Sequence, residues 1–563
     1  MSTDLKSLAE RLLGNDVLSV EEVESKFLRK EKQPIVTRVA PSPTGFMHIG
    51  GVYAALISER LAHLKDGVFF VRIEDTDTSR QVDGAQDLII RSLQEFGITF
   101  DEGPLLDGKE KGAYGPYVQS QRKHIYKAYV KKLLEEGKAY PCFCTPEELD
   151  KIRGTQKSFS RRPGYYGEWA LHRNLTADEV NEKLEAGLPY VIRLKSEGDY
   201  DEKIRHQDLV KGLVKMPEND MDIVILKASG LPTYHFAHAV DDYLMGTTHI
   251  VRGDEWLPSV PLHLQLFDML GFERLQYGHI APIQKIDDGS KRKLSKRSDP
   301  EAAMSYYGEH GYPIDAVLEY LLNLANSNFE PFRKENPDAS LWEFPFDLTG
   351  LNKSGALLDL IKLQNISKEY IARLSAEEVY EGLLEWAKLY DATLQKRLEA
   401  DKPEFISIFE IERKGADRAR KDFHCWSMVW GEIKFFFDDQ FEPATFEKAA
   451  EYLGESKLPA VHGFVSAFIA NYDDSLTAEE WFGGMKDLAE KHGYAINGKD
   501  YKKNPDQYVG GIADAAKALR VALAGRPQTP DLYSIMQTLG KETVQKRIDM
   551  FLKTIAPSTE KAS

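Results

Sequence analysis

The stretch Ile35-Val36-Thr37-Arg38-Val39-Ala40-Pro41-Ser42-Pro43-Thr44-Gly45 decides the fold. Its first five residues are mostly β-branched, a strand pattern, and two prolines keep the following six out of a helix. Downstream, Val52, Leu56, Ile57, Leu61 and Leu64 recur at helical spacing between about His48 and Lys65, and Asp66-Gly67 closes that run. Val68 to Ile73 then reads as a second strand. Strand, loop, helix and strand in this order make a βαβ unit. Its right-handed crossover puts the proline loop at the carboxyl edge of a parallel sheet, where ligands of such sheets bind.

Working outward, Asp222-Ile223-Val224-Ile225-Leu226, a turn at Ser229-Gly230-Leu231-Pro232, and the segment from Tyr234 to Arg252 read as the other half of the sheet. The residues between the halves are richer in charge and helix signals, with a strand expected at Pro189 to Leu194, so an insertion splits the nucleotide fold. From about Tyr306 the pattern is almost wholly helical. Amphipathic runs cover Ile314 to Leu324, Ala356 to Leu363, Ala376 to Tyr390 and Pro530 to Leu552. Leu5, Leu8, Leu12 and Leu13 predict a short helix ahead of the first strand.

With 563 residues the chain exceeds what one hydrophobic core supports, so several domains are expected. Hydrophobic residues make up 42% and charged residues 29%, and no run approaches eighteen apolar positions, which excludes a helical membrane span. The first 33 residues mix acids and bases without an apolar centre, unlike a secretory or transit segment, and three cysteines, Cys142, Cys144 and Cys425, suit a reducing compartment. A cytoplasmic location is expected. The net charge of -16 counts against a nucleic-acid partner, because phosphates must be met by Lys and Arg. Locally the balance reverses: Lys291-Arg292-Lys293-Leu294-Ser295-Lys296-Arg297 puts five cations in seven residues.

Two motifs carry chemistry. Pro43-Thr44-Gly45-Phe46-Met47-His48-Ile49-Gly50-Gly51 stands at the strand-to-helix corner, where free backbone N–H groups and the helix dipole favour a triphosphate. Lys293-Leu294-Ser295-Lys296-Arg297 follows a polar turn, Asp287-Asp288-Gly289-Ser290, and its lysines suit a pyrophosphate leaving group. Gly493-Tyr-Ala-Ile-Asn-Gly498-Lys499-Asp500 imitates a phosphate loop, but Asp500 replaces the hydroxyl residue that would meet magnesium and no apolar strand precedes it.

His48-Ile-Gly-Gly51 and Lys293-Leu-Ser-Lys-Arg297 together resemble the two signatures of class I aminoacyl-tRNA synthetases. More narrowly, Arg38 to His48, Arg72-Ile-Glu-Asp-Thr-Asp77, Gly115 to Ser120, Pro232 to Asp242 and Arg252-Gly-Asp-Glu-Trp256 resemble the glutamyl members of bacterial type, and Val509-Gly-Gly-Ile-Ala513 resembles their helical anticodon-binding end. The resemblance implies an α/β fold: a Rossmann-type catalytic domain (34–112 and 222–286) split by an α+β insertion for the acceptor end of tRNA (113–221). A stem-contact domain (287–372) and an all-α anticodon-binding domain (373–563) follow, with 1–33 as an extension. It implies tRNA(Glu), L-glutamate and ATP as partners, magnesium with the ATP, and a monomer.

By the same carry-over Arg38, Tyr234 and Arg252 hold the glutamate side chain, Glu74 faces its amino group, and Ala40, Ser42 and His238 stand beside it. His48, Gly50, Glu255, Trp256, Leu294 and Lys296 surround ATP, and His48, Lys293 and Lys296 are the catalytic residues. The chemistry agrees, because a forked guanidinium matches a carboxylate better than a neutral amide. No general base is expected, since attack of a carboxylate on phosphorus is promoted by positioning and charge. Gly51 stands where many class I enzymes have a second histidine, and Leu294 and Arg297 replace the commoner Met and Ser. The nearest alternative, a glutaminyl enzyme, usually has a β-rich anticodon domain that these helices do not resemble. Cys142-Phe-Cys144 lies where some relatives begin a zinc site, but the positions for the second pair read Trp169 and Leu171 with His172 displaced, so no structural zinc is expected.

Overall fold

Strand β1 (Val36–Val39) lies parallel to β2 (Val68–Val71), with Arg38 opposite Phe70. The helix between them, Ile49–His63, is buried over most of its length, and the Thr37 hydroxyl ties it to β1 by donating to the Ser58 carbonyl at 2.7 Å. The computed structural model thus contains the expected βαβ unit; it describes residues 2–45, 47–77, 81–295, 298–413 and 419–556. A small hairpin, β3 (Gly103–Pro104) with β4 (Glu110–Lys111), extends the β2 side, where the Val71 N–H donates to the Glu102 carbonyl.

The insertion supplies β5 (Ala139–Cys142) and β6 (Val191–Leu194), which run antiparallel, and the hairpin of β7 (Lys203–Asp208) with β8 (Gly212–Pro217). One expectation is corrected here. Strand β9 (Val224–Leu226), read as half of the parallel sheet, instead pairs antiparallel with β6. An apolar run buried on both faces looks the same in either sheet, so its partner cannot be read locally. The second half of the nucleotide fold begins at the helix Tyr234–Leu244 and continues through β10 (His249–Gly253), parallel to β11 (Gln276–Ile280). The Thr248 N–H donates to the Val36 carbonyl at 3.0 Å and joins β10 to β1.

The predicted N-terminal helix is present as Ser2–Leu13. Ala9, Leu12 and Leu13 pack into one core with Tyr126, Tyr129 and Leu133 of the insertion and with Phe236 and Leu266 beyond it. The extension is therefore built into this body. The chain divides into two compact units, Met1–Tyr306 with Leu318–Asp359 and Tyr307–Val317 with Leu360–Ser563.

In the second unit the helix Ala376–Tyr390 matches the predicted span, and Ser375 with Glu378 forms a reciprocal cap at its start. Two cores fill this unit, one around Leu383, Phe405 and Val429 and one around Phe464, Leu519 and Ile548. The long helix Leu532–Thr554 is interrupted at Gly540, whose φ of 74° lies outside helical space. The run Ala356 to Leu363 is helical only from Leu360 onward. In the first unit, Gln284 donates to the Ala356 carbonyl and accepts from the Leu358 N–H, so those apolar residues pair as extended chain.

Candidate active site

Two adjoining cavities open at the carboxyl ends of β1 and β10, and both are lined by His48, Ala54 and Gly253. The first, about 320 Å³, is bounded by Gly50, Glu255, Ile283, Lys293 and Leu294. The second, about 480 Å³, is bounded by Arg38, Ala40, Ser42, Glu74, Tyr234 and Arg252. Of the residues expected around ATP, Gly50, Glu255 and Leu294 line the first chamber, and His48 lines both; of those expected around glutamate, Arg38, Ala40, Ser42, Glu74, Tyr234 and Arg252 line the second. Trp256 belongs to the second chamber, packed on Tyr234 with ring centroids 4.4 Å apart. His238 is not on the cavity wall: it is fully buried, stacks behind Tyr234, and has Nδ1 2.5 Å from Asp242 Oδ2. Its helix carries His238 and Asp242 four residues apart on an inward face, so it supports Tyr234 and Arg38 from behind.

His48 is the N-cap of Ile49–His63, and its Nδ1 accepts the Gly51 N–H at 3.0 Å. In the neutral ring this leaves the proton on Nε2, a donor for an anion in either chamber. Gly50 permits this pose, since a Cβ there would lie 3.0 Å from the imidazole Cε1. At Gly51 a Cβ would meet the Met47 side chain at 3.1 Å, which accounts for a small residue where a second histidine is common.

Lys293 ends the strand β13 (Ser290–Lys293), hairpin partner of β12 (Gln284–Asp287), and its Nζ lies 2.8 Å from Glu255 Oε1. The Leu294 N–H donates to the Ile283 carbonyl, which holds Leu294 against the first chamber. Arg292 is engaged otherwise, donating to Asp287 and to both oxygens of the buried Asp299. The basic run is thus part anchor, part site. Lys296 and Arg297 lie outside the described residues.

The electrostatics of the second chamber follow from its buried charges. Arg38 donates from Nε and Nη2 to the two oxygens of Asp242 at 3.3 Å, and Arg72 bridges Asp242 (2.8 Å) and Glu74 (3.0 Å). Burial alone would raise the Asp242 pKa, but Arg38, Arg72 and His238 hold it well below the usual carboxylate range. Burial raises the Glu74 carboxyl against the pull of the same arginines. Arg252 differs: among the described residues no carboxylate stands within 4 Å of it, its Nη1 is buried without a partner, and it lies over the Tyr277 ring at 4.8 Å. Asp242 and Glu74 thus engage Arg38 and Arg72, and Asp77 adds a further carboxylate to the chamber wall, while Arg252 is left without a carboxylate partner among the described residues. Sequence reasoning passed over Arg72 and Asp242, although both lie in the quoted motifs.

In the insertion, Cys142, Cys144 and His172 bring three ligand atoms within 4.8 Å of one another. His172 Nδ1 lies 3.3 Å from Cys144 Sγ, and the Tyr165 hydroxyl is 3.4 Å from both sulfurs. The argument that only two ligands meet there is corrected, because the turn after Gly167–Trp169 swings His172 inward while Leu171 is exposed.

The comparisons with known proteins converge. Residues 34–335 match the model of the class I tRNA synthetases (E and Q), catalytic domain, and residues 509–552 match an anticodon binding domain. The glutamate–tRNA ligase of Clostridium perfringens is 48% identical over 517 residues, 92% of this chain and 93% of that protein. That of Clostridium beijerinckii is 47% identical over 553 residues, 97% and 99% of the two chains. The crystal structure of a glutamate tRNA ligase from Elizabethkingia meningosepticum in complex with its amino acid is 28% identical, with a TM-score of 0.72 over 92% of this chain and 99% of that one. A family model covering more than half the chain, and near-full-length relatives at this identity, place the chain in the glutamate–tRNA ligase family of class I aminoacyl-tRNA synthetases.

Proposed function

We propose that the two chambers divide the substrates of a glutamate–tRNA ligase, L-glutamate in the one lined by Arg38 and Arg252 and ATP in the one lined by Gly50 and Leu294. The observation that carries this reading is the buried, uncompensated guanidinium of Arg252 beside the His48-capped helix. Glutamate's side-chain carboxylate pairs with Arg252 and Arg38, near Tyr234, while Glu74 takes the amino group and Ala40 and Ser42 flank it. The α-carboxylate attacks the α-phosphate of ATP at the shared wall and expels pyrophosphate, with the His48 Nε2–H and the Lys293 ammonium stabilising the developing charge; Lys296, of the same basic run, is assigned that role from the sequence alone. A hydroxyl of the terminal ribose of tRNA(Glu) then attacks the acyl carbon of the glutamyl-adenylate, forming the ester and releasing AMP.

In this reading the insertion 113–221 holds the acceptor end, 287–372 meets the stem and 373–563 the anticodon, in a cytoplasmic monomer. Among the described residues no helix is long and apolar enough to cross a membrane. Magnesium accompanies ATP. Elemental analysis decides on zinc: about one zinc per chain makes Cys142, Cys144 and His172 three of its ligands, and none leaves them a hydrogen-bonded cluster with Tyr165. The deciding experiment is charging of purified tRNA with glutamate and with glutamine. Glutamate alone should be esterified; equal use of glutamine refutes the assignment of the second chamber.

A further inference from the structure

A guanidinium reserved for a ligand must be held without being neutralised, and the groups that hold Arg252 come from distant parts of the chain. Its Nε lies 3.1 Å from His279 Nε2 and its Nη2 3.1 Å from His263 Nδ1. Both guanidinium atoms are donors, so each imidazole must present a lone pair there and be neutral. The opposite nitrogens show how each tautomer is fixed. His263 Nε2 is 2.9 Å from His235 Nδ1, and His279 Nδ1 is 2.6 Å from Asp208 Oδ2. Burial lowers the pKa of all three histidines, that of His235 to about 4.

Asp208 is itself locked. Its Oδ1 accepts the backbone N–H groups of Val210 (2.9 Å), Lys211 (2.8 Å) and His279 (3.2 Å), so Oδ2 faces His279 Nδ1 as an acceptor. Although burial works the other way, the bonds from His279 and from the Lys211 and Val210 N–H groups hold its pKa at about 2. The carboxylate therefore stands one imidazole away from Arg252. It fixes the ring's tautomer and leaves the guanidinium charge unspent, unlike Asp242, which touches Arg38 directly.

We infer that Asp208, acting through His279, is a positioning residue that sets the preference of this cavity for a carboxylate over a carboxamide. Asp208 ends β7, so the insertion contributes to amino-acid choice. The inference rests on Arg252 being the reader of the glutamate side chain.

Asp208→Asn tests it with almost no change of shape. The three N–H groups keep the amide oxygen at the Oδ1 position, which turns the NH2 toward His279 Nδ1 and forces the ring proton onto Nε2, against the Arg252 Nε–H. In pyrophosphate exchange measured with tRNA present the KM for glutamate should rise ~10-fold or more, and the kcat/KM ratio of glutamate to glutamine should fall by a similar factor. The KM for ATP should not change. His279→Gln, whose amide oxygen can take the place of the Nε2 lone pair, should stay within ~3-fold of the parent, whereas His279→Leu should behave like Asp208→Asn; this pair carries the test where Asp208→Asn does not fold. An unchanged KM for glutamate in Asp208→Asn and His279→Leu, or equal rises for glutamate and ATP, overturns the inference. Arg252→Met separates the levels: if it abolishes glutamate use while those two variants do not, only this inference fails. If Arg252→Met leaves glutamate use intact, the underlying reading of the cavity fails.

Discussion

Two sets of buried arginines, one from each unit, serve opposite purposes. In the catalytic unit Arg38, Arg72 and Arg122 each meet a carboxylate, of Asp242, of Asp242 and Glu74, and of Asp241. In the helical unit Arg413 donates to the carbonyls of Phe409 and Ile371, and Arg547 to those of Phe435, Leu523 and Phe436, with Asp438 at the surface end. The electrostatic outcome differs accordingly. Burial lowers the Arg413 pKa to about 10 and also lowers that of Arg547. At Arg38 and Arg72 burial acts in the same sense, but Asp242 together with Tyr234 and Glu74 at Arg38, and with Asp241 and Glu74 at Arg72, outweighs it and both are raised. Carbonyl dipoles use a guanidinium to fix shape, and carboxylates use it to fix a charge pattern. Arg252 fits neither set: it reaches the Trp256 carbonyl only at 3.4 Å, is held by two imidazoles and meets no carboxylate among the described residues, which is why the proposed reading gives it the ligand.

Removing the central cation of the charge pattern should have the largest effect. Arg72→Met leaves Asp242 and Glu74 short of a buried counter-charge, and breaking such a pair costs about 3–5 kcal/mol. Urea titration should show that loss in the catalytic unit, together with loss of glutamate-dependent exchange. A stable, active variant would mean that Arg38 alone suffices.

Acid should separate the units almost as sharply. His124, His206, His235, His238, His249, His263 and His279 in the catalytic unit have lowered pKa values, against His424 alone in the helical unit. A histidine lowered by folding binds its proton more readily in the unfolded chain, so stability falls as pH drops below about 6.5 and the loss is complete below the folded value. For His235 and His238, lowered by burial to about 4 and about 3, the contribution at pH 5 is about 2 kcal/mol each. His63 and Glu74 shift the other way and offset part of it. Hydrogen exchange at pH 7 and pH 5 should show protection falling first around β1 and β10; earlier loss in Ala376–Tyr390 would break the comparison.

Arg252→Met should act on function alone. It orphans no carboxylate, so thermal stability should change little, while kcat/KM for glutamate falls by ~100-fold or more, as expected when a buried charge loses its partner. A large stability loss with unchanged kcat/KM would give Arg252 a structural role like that of Arg547.

The helical unit was the more legible from sequence, for a reason visible in Ala376–Tyr390. Its apolar spacing and the Ser375–Glu378 cap are both local signals. The βαβ unit was equally readable because loop, helix and both strands are contiguous. What escaped was long-range: the pairing of β9 with β6, the approach of His172 to the cysteine pair, and Asp208 meeting His279 across 71 residues. The failed part of Ala356 to Leu363 is instructive, since its apolar residues suit a helix but Gln284 offers both backbone partners first. Most residues that line the two chambers lay in motifs legible in the sequence, yet the motifs did not tell a wall residue such as Tyr234 from His238 directly behind it.

The smallest effect tests the shape-fixing half of the comparison. Arg547 is buried in the part of Leu532–Thr554 that follows Gly540, where its Nη1 reaches the Phe435 carbonyl at 2.6 Å and the Leu523 carbonyl at 2.9 Å, closing the ends of two other segments onto this helix. Arg547→Met keeps most of the apolar volume and leaves those carbonyls without a donor, which costs about 1–3 kcal/mol, with about 2 kcal/mol expected because Asp438 at the rim can turn to water. The aromatic contact is also lost, since the guanidinium lies 4.0 Å from the Phe441 ring centroid. The loss should appear as a lower denaturant midpoint for the helical unit, while pyrophosphate exchange at the catalytic unit keeps its KM for glutamate. Arg547→Lys should recover only part of the stability, because one ammonium cannot span carbonyls that a planar fork reaches from two nitrogens. Full recovery by lysine would show that a buried positive charge, rather than the fork geometry, is what this unit requires.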